Sequence, residues 1–408
     1  MKKFLVFLAL LAFAATSFAV ELKLSGNFYV RGSYIKNGSD LDGDKKVDLQ
    51  TSNAPSFSYF DQDMNLWAKL VVDEDTWVTT RFAIHDEDWK NANENDTDDN
   101  IAAERAWLTH KFATGTKLDA GLMSGGGWGT AFGNDVGGKY RVKITQALPY
   151  GSLVAWVQKN AEKGKELQYK DAEKDDSDSY AIGLTFKAGD ITIKPLVVYT
   201  VDSAGTNNAY VDNSTDGKKT TSFDIAAMGK FGVIGFEAEF DYDNVEFDKN
   251  YGTDYDVYGI YVNAYTMIDK VKVGGIFAYG SYDKDAQKGY DFDDDFDLTL
   301  VLSDWVGFGG GDGLTGMTAY QVYAKAPVMD KLTANASLTY VTSNQEGNST
   351  TTNYLEDATA YEVDLGAAYT IKKGLVYSVA FGYAKIDLDG QSDPDPVIRA
   401  YHKISLSF

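Results

Sequence analysis

Cysteine is absent from the 408 residues. The chain therefore forms no disulfide, offers no thiolate to zinc or an iron–sulfur cluster, and cannot attach haem through a Cys-x-x-Cys-His motif. Positive charge is short as well. Thirty-eight basic side chains stand against 60 acidic ones, a net charge of −22, which argues against a nucleic-acid partner because phosphate needs a basic surface. After residue 20 no apolar run approaches the roughly 18 residues of a membrane helix, so a helical membrane protein is excluded. Histidine is limited to His85, His110 and His402, and neither Gly-x-Ser-x-Gly nor Gly-x-x-x-x-Gly-Lys occurs. An enzyme needs a nucleophile, base and orienter that meet, and little here supplies them. What is abundant is aromatic side chain, with 27 Tyr, 22 Phe and 7 Trp, too much for a disordered chain.

The N-terminus reads as an address. Lys2 and Lys3 precede the apolar run Phe4–Ala15, and Ser17-Phe18-Ala19 is a small-x-small cleavage site. Twelve apolar residues are too few to span a bilayer, so residues 1–19 are expected to be a cleaved signal peptide and 20–408 the exported domain.

From residue 20 on, the recurring pattern is alternation with period two. Leu22, Leu24, Phe28, Val30 and Tyr34 share one face of a strand, and Lys23, Ser25, Asn27, Arg31 and Ser33 the other. The same pattern recurs about eighteen times. Every second connector is a turn of a few residues, such as Gly189-Asp190. The others are long and polar: 36–55, 86–101, 124–138, 160–179, 202–221, 243–254, 283–317, 343–359 and 387–396. A soluble sandwich has no reason to put all its long loops at one end. A transmembrane barrel does, and strands of about ten residues suit a tilted crossing. The expected fold is all-β, a single antiparallel up-and-down barrel of 18 strands, with 16 as the alternative. Pro195, inside the ninth strand, predicts a bulge or a later strand start.

The chain has only five arginines, Arg31, Arg81, Arg105, Arg141 and Arg399, and all five fall within strands on the face opposite the oily one. Facing lipid at mid-depth, each would cost about 2–4 kcal/mol. The last strand alternates through Ala400, His402, Ile404 and Leu406 to a terminal Phe408, with His402 a departure from a purely apolar series. In this ending, its leader and its loop alternation the chain resembles Gram-negative outer-membrane β-barrel proteins, and most of all porins of 16 or 18 strands. The resemblance implies an outer-membrane location and a last strand read at Phe408 by the barrel-assembly machinery. It also implies contact with bilayer and lipopolysaccharide, a homotrimer, and passage of small hydrophilic solutes.

With oily faces outward, Lys23, Arg31, Lys69, Arg81, Arg105, Lys111, Arg141, Lys143 and Arg399 are expected to line a basic wall from strands one to six and eighteen. Asp224, Glu237, Glu239 and Asp241 of strands ten and eleven, with Glu362 and Asp364 of the sixteenth, are expected to face it as an acidic wall. Loop 124–138 follows the fifth strand, where porins fold a constriction loop inward, and Trp128, Phe132 and Asp135 would narrow the pore. Loop 283–317 contains Leu298–Leu302 and Trp305–Phe308, too apolar to sit in water, and is read as a folded loop that plugs the mouth or packs at a subunit contact. Asp40, Asp42, Asp44 and Asp48 alternate as Ca²⁺ ligands do, though Lys45 and Thr51 break the EF-hand pattern, so no cofactor is expected beyond a loop-bound Ca²⁺. The function expected is a non-enzymatic, water-filled diffusion channel. A non-conducting structural or adhesin barrel, or a sleeve for an electron-transfer partner, is the alternative.

Overall fold

The computed structural model describes residues 20–38, 56–89 (backbone alone for 85–88), 101–126, 128–133, 137–161, 176–202, 217–247, 252–293, 296–302, 315–346, 356–388, 393 and 395–408. Among these residues there is no helix. The strands are β1 (Glu21–Lys36), β2 (Phe57–Val71), β3 (Thr76–Asp88), β4 (Ile101–Lys111), β5 (Thr116–Ser124), β6 (Gly138–Leu148) and β7 (Gly151–Ala161). They continue as β8 (Ser177–Ala188), β9 (Ile191–Asp202), β10 (Lys218–Phe231), β11 (Ile234–Phe247), β12 (Tyr255–Ile268) and β13 (Val271–Gly280). A two-residue ribbon, β14 (Tyr282–Asp283) with β15 (Lys288–Gly289), lies inside the loop that follows. The last five are β16 (Met317–Met329), β17 (Leu332–Ser343), β18 (Thr359–Lys372), β19 (Leu375–Asp387) and β20 (Val397–Ser407).

Each barrel strand pairs antiparallel with its sequence neighbour, and β20 pairs with β1, so 18 strands close into one cylinder. Closure leaves no sheet edge, which lipid demands because nothing there can pair a free amide. The alternation sets the faces. On β6, Tyr140, Val142 and Ile144 are exposed, whereas the alternating Arg141 and Lys143 turn inward to polar partners. On the short side, Gly189 and Gly374 take positive φ, 62° and 79°, in their turns, where a side chain is strained.

The seam is pinned at the C-terminus. Gly26 N–H donates to the Phe408 carbonyl at 2.9 Å, and Phe408 N–H returns a bond to Gly26 at 3.0 Å. A methyl group on Gly26 would lie 2.8 Å from the Phe408 ring and 2.5 Å from the Asn65 carbonyl oxygen. Gly26→Val is therefore expected to cost about 1–3 kcal/mol by overpacking. It should lower the temperature at which the folded band is lost in unheated denaturing gels, and an unshifted temperature would contradict the seam contact.

Pro195 produces neither the bulge nor the late start expected for it. β9 begins at Ile191, and its register with β10 runs through Pro195↔Ile225. On the β8 side the register is kept but pairing lapses between Gly183↔Leu196 and Phe186↔Ile193. The missing amide opens a gap in one ladder and leaves the strand straight. A bulge does occur between β3 and β4: Arg81 faces Arg105 while Phe82 faces Ala103, so Glu104 is the extra residue.

The buried core lies inside the cylinder at its long-loop end. Phe132, Tyr261, Tyr290, Phe292, Phe296, Leu298, Val301 and Leu302 pack there against Ile35, Val257, Met317, Val341, Ile386 and Val397 of the wall. Part of loop 283–317 thus fills the barrel mouth, the plug reading, with Trp305–Phe308 outside the described residues.

Candidate functional site

From β1 round to β8 the interior carries cations resting on carboxylates and indoles. Arg31 makes a two-pronged bond to Asp61, 2.9 Å from Nε and 3.0 Å from Nη2. Arg81 bonds Asn65 at 2.6 Å and 3.0 Å and reaches Glu104 at 3.1 Å. Alternation alone would turn Glu104 to lipid; the bulge brings it to Arg81. Asp119 holds Lys117 at 3.0 Å and Lys143 at 3.8 Å, and accepts the Thr109 hydroxyl at 2.6 Å. Arg141 bonds Gln158 and the Gly125 carbonyl, both at 2.5 Å. Arg81 and Arg105 both stand 5.7 Å from the centre of the Trp67 ring, Lys69 and Lys111 lie 3.9 Å and 5.1 Å over Trp77, and Arg141 lies 4.8 Å over Trp156. Lys23 stands opposite Lys69 in the β1–β2 register and touches Glu21 at 3.2 Å.

Two loop segments occupy the other side of the lumen. The segment 128–133 crosses to β9 and β11. The Trp128 indole donates to the Lys194 carbonyl at 3.1 Å, beside the ladder gap left by Pro195. Thr130 N–H donates to Glu239 Oε2 at 2.5 Å, and the Phe132 ring stacks between Tyr261 and Tyr290, 5.5 Å from each. The Tyr290 hydroxyl donates to Asp241 at 2.8 Å; burial, and then the neighbouring carboxylate, push this phenol far above its ordinary pKa and keep it a donor.

The second segment, 296–302, is bound to the wall at its backbone. Leu300, Val301 and Leu302 all donate their N–H groups to Glu362, at 2.9, 2.7 and 2.8 Å. Arg399 donates to the Leu300 carbonyl at 3.2 Å and Gln321 to the Leu298 carbonyl at 2.6 Å. Glu362 is fully buried, with Phe292 and Leu302 equally enclosed nearby. A carboxylate accepting three amides is a strong anchor.

In the strand register the expected wall residues share one face of the sheet, but they do not form the two opposed walls. β18 lies only two strands from β20, so Glu362 and Asp364 stand beside Arg399, not across from the basic residues. The basic side also holds Asp61, Glu104 and Asp119, which the count of cations passed over. Glu239, Asp241, Glu362 and Asp364 are covered: each is at most 9% exposed. Arg105 and Arg399, expected in the open lumen, are themselves covered, at 9 and 7%. Glu237 accepts the Tyr261 hydroxyl at 2.7 Å and the Asn263 amide at 3.1 Å. Of the constriction residues, Trp128 and Phe132 lie inside the barrel and Asp135 falls outside the described residues, as do Asp40, Asp42, Asp44 and Asp48. Lys194, Gln321 and the interior tryptophans went unassigned in sequence, although strand parity places them with their arginine neighbours.

No family model matches the sequence, and no curated protein matches it. Solved structures share its architecture. Pseudomonas aeruginosa OccK3 (OpdO) superposes with a TM-score of 0.57 at 10% identity, covering 95% of this chain and 96% of that one. Pseudomonas aeruginosa OccK1 (OpdK) gives 0.54 at 11%, covering 95% and 99%. Acinetobacter baumannii OccAB4 gives 0.53 at 12%, covering 95% and 98%. At such identities the likeness establishes architecture, and the chain has the 18-stranded barrel fold of the outer-membrane porins.

Proposed function

We propose that the protein is an outer-membrane porin, a water-filled channel for small hydrophilic solutes, whose passage runs along the β1–β8 arc. The observation that carries this reading is the unequal covering of charge. Glu239, Asp241, Glu362 and Asp364 lie beneath the inward segments, while Arg31, Arg81 and Lys143 keep side-chain exposures of 17, 23 and 28%. Asp61 and Asp119, at 0 and 4%, are hidden behind Arg31 and Lys143, and Glu104 beside Arg81 is the exposed carboxylate at 36%. A solute on this arc therefore meets Arg31, Arg81, Lys117 and Lys143 against the exposed carboxylate of Glu104, and field lines in a narrow low-dielectric passage concentrate that excess. The acidic loops at the mouth, which on composition alone favour cations, are set against this wall.

The test is single-channel recording of the purified chain in planar bilayers under a salt gradient. Stable ohmic steps with a zero-current potential of anion-preferring sign are expected. An absence of steps would leave the non-conducting barrel as the better reading, and a cation-preferring potential would overturn the basic passage. The likeness to Pseudomonas and Acinetobacter channels supports the porin reading at the level of the fold. Phe408, in its paired seam, is the proposed signal for the barrel-assembly machinery.

A further inference from the structure

Asp224, Glu239 and Asp241 meet on the inner face of β10 and β11. One carboxylate oxygen from each lies within 4.8 Å of the other two. Asp224 and Asp241 are directly opposite in the register, a placement that is destabilising for like charges. Lys194 is the basic group acting on Asp224 and Glu239, and its Nζ already donates to the Gly129 carbonyl at 3.4 Å. One ammonium does not balance three carboxylates.

The hydrogen bonding points to what is needed. Glu239 is 2% exposed, and its Oε2 accepts from Thr130, but its Oε1 is buried with no donor among the described residues. Asp224 Oδ1 is in the same condition on the facing strand. Buried acceptor oxygens without donors, in a cluster of excess negative charge, are what a hard cation satisfies. The span fits as well: oxygens on opposite sides of a Ca²⁺ ion lie about 4.6–5.2 Å apart.

We infer that Asp224, Glu239 and Asp241 bind a divalent cation of the Ca²⁺ class inside the barrel, where it ties β10 and β11 to segment 128–133. This site is separate from the acidic first loop. Glu239 bonds Thr130, and Asp241 bonds Tyr290, whose ring stacks on Phe132. The ion therefore neutralises the wall against which the constricting segment rests.

The experiment is equilibrium dialysis of the full chain, folded in detergent, against radioactive Ca²⁺ with Mg²⁺ in excess. Wild type is compared with Asp224→Asn, Glu239→Gln and the loop variant Asp40→Asn/Asp42→Asn/Asp44→Asn. One tightly held Ca²⁺ per chain is expected, with affinity lowered about tenfold or more in each of the first two and unchanged in the third. Asp224→Asn is the decisive variant, because among the described residues Asp224 makes no bond to segment 128–133 and its loss does not release that segment. Ca²⁺ should also raise the unfolding temperature of wild type and leave that of Asp224→Asn unmoved. No binding, or binding that survives Asp224→Asn, or loss only in the first-loop variant, overturns the assignment. Conductance of the same preparation in chelator tests the porin reading independently of this site.

Discussion

Glu362→Ala will open the barrel further. The substitution removes the acceptor for three N–H groups, those of Leu300, Val301 and Leu302, at a buried site. A buried donor left unpaired costs about 1–3 kcal/mol, so the attached state loses about 3 kcal/mol at the least. That is roughly a hundredfold increase in the detached population of segment 296–302. The apolar packing of Val301 and Leu302 opposes release but cannot satisfy the amides. Single-channel recordings should show a larger mean conductance with switching between levels. Glu362→Gln keeps one acceptor oxygen and places an NH₂ group against the remaining amides, so its conductance should fall between the two. An Ala variant with wild-type conductance and quiet traces would mean that this segment does not restrict the passage.

The second large effect is expected at Arg31. Its partner Asp61 has no exposed side-chain surface. Arg31→Ala therefore strands a buried carboxylate, a loss of about 3–5 kcal/mol when one member of such a pair is removed. Arg31→Ala/Asp61→Asn should recover most of that loss, since no charge is then left buried. The same pair separates stability from selectivity. Arg31→Ala removes a cation and uncovers an anion, so the zero-current potential should move toward cations. The double variant should move less, and Arg31→Ala/Arg105→Ala more than either. Unfolding temperature and zero-current potential, measured on all four proteins, check both parts. A double variant as unstable as the single would show that the guanidinium acts through packing against Tyr29 and Tyr401 instead.

The barrel was legible in the sequence because its two solvents are so different. Lipid outside and water inside force strict alternation, and the arginines mark the wet face on each strand that bears one. Loop lengths then fix the up-and-down order. The site was less legible because its contacts depend on chain crossing the lumen. Nothing in the spacing of Leu298–Leu302 says that their amides meet Glu362, some sixty residues later. Alternation alone would misplace Glu104, because a bulge, invisible in residue type, slips the register by one. The expectation that strand sixteen faces the basic wall failed on ring geometry: in a closed cylinder, late strands return beside early ones. Pro195 was recognised as a defect, but its use, a ladder gap beside the carbonyl that receives Trp128, required the partner to be in place.

The seam between Gly26 and Phe408 has a consequence for biogenesis. The earliest strand made is the last to find its second neighbour, because that neighbour is the end of the chain. Until β20 is in place, β1 and the latest strand to arrive both present raw amide rows, the state most prone to stick to other chains. A polypeptide without β20 would keep both rows open, since no other strand stands beside β1 on that side.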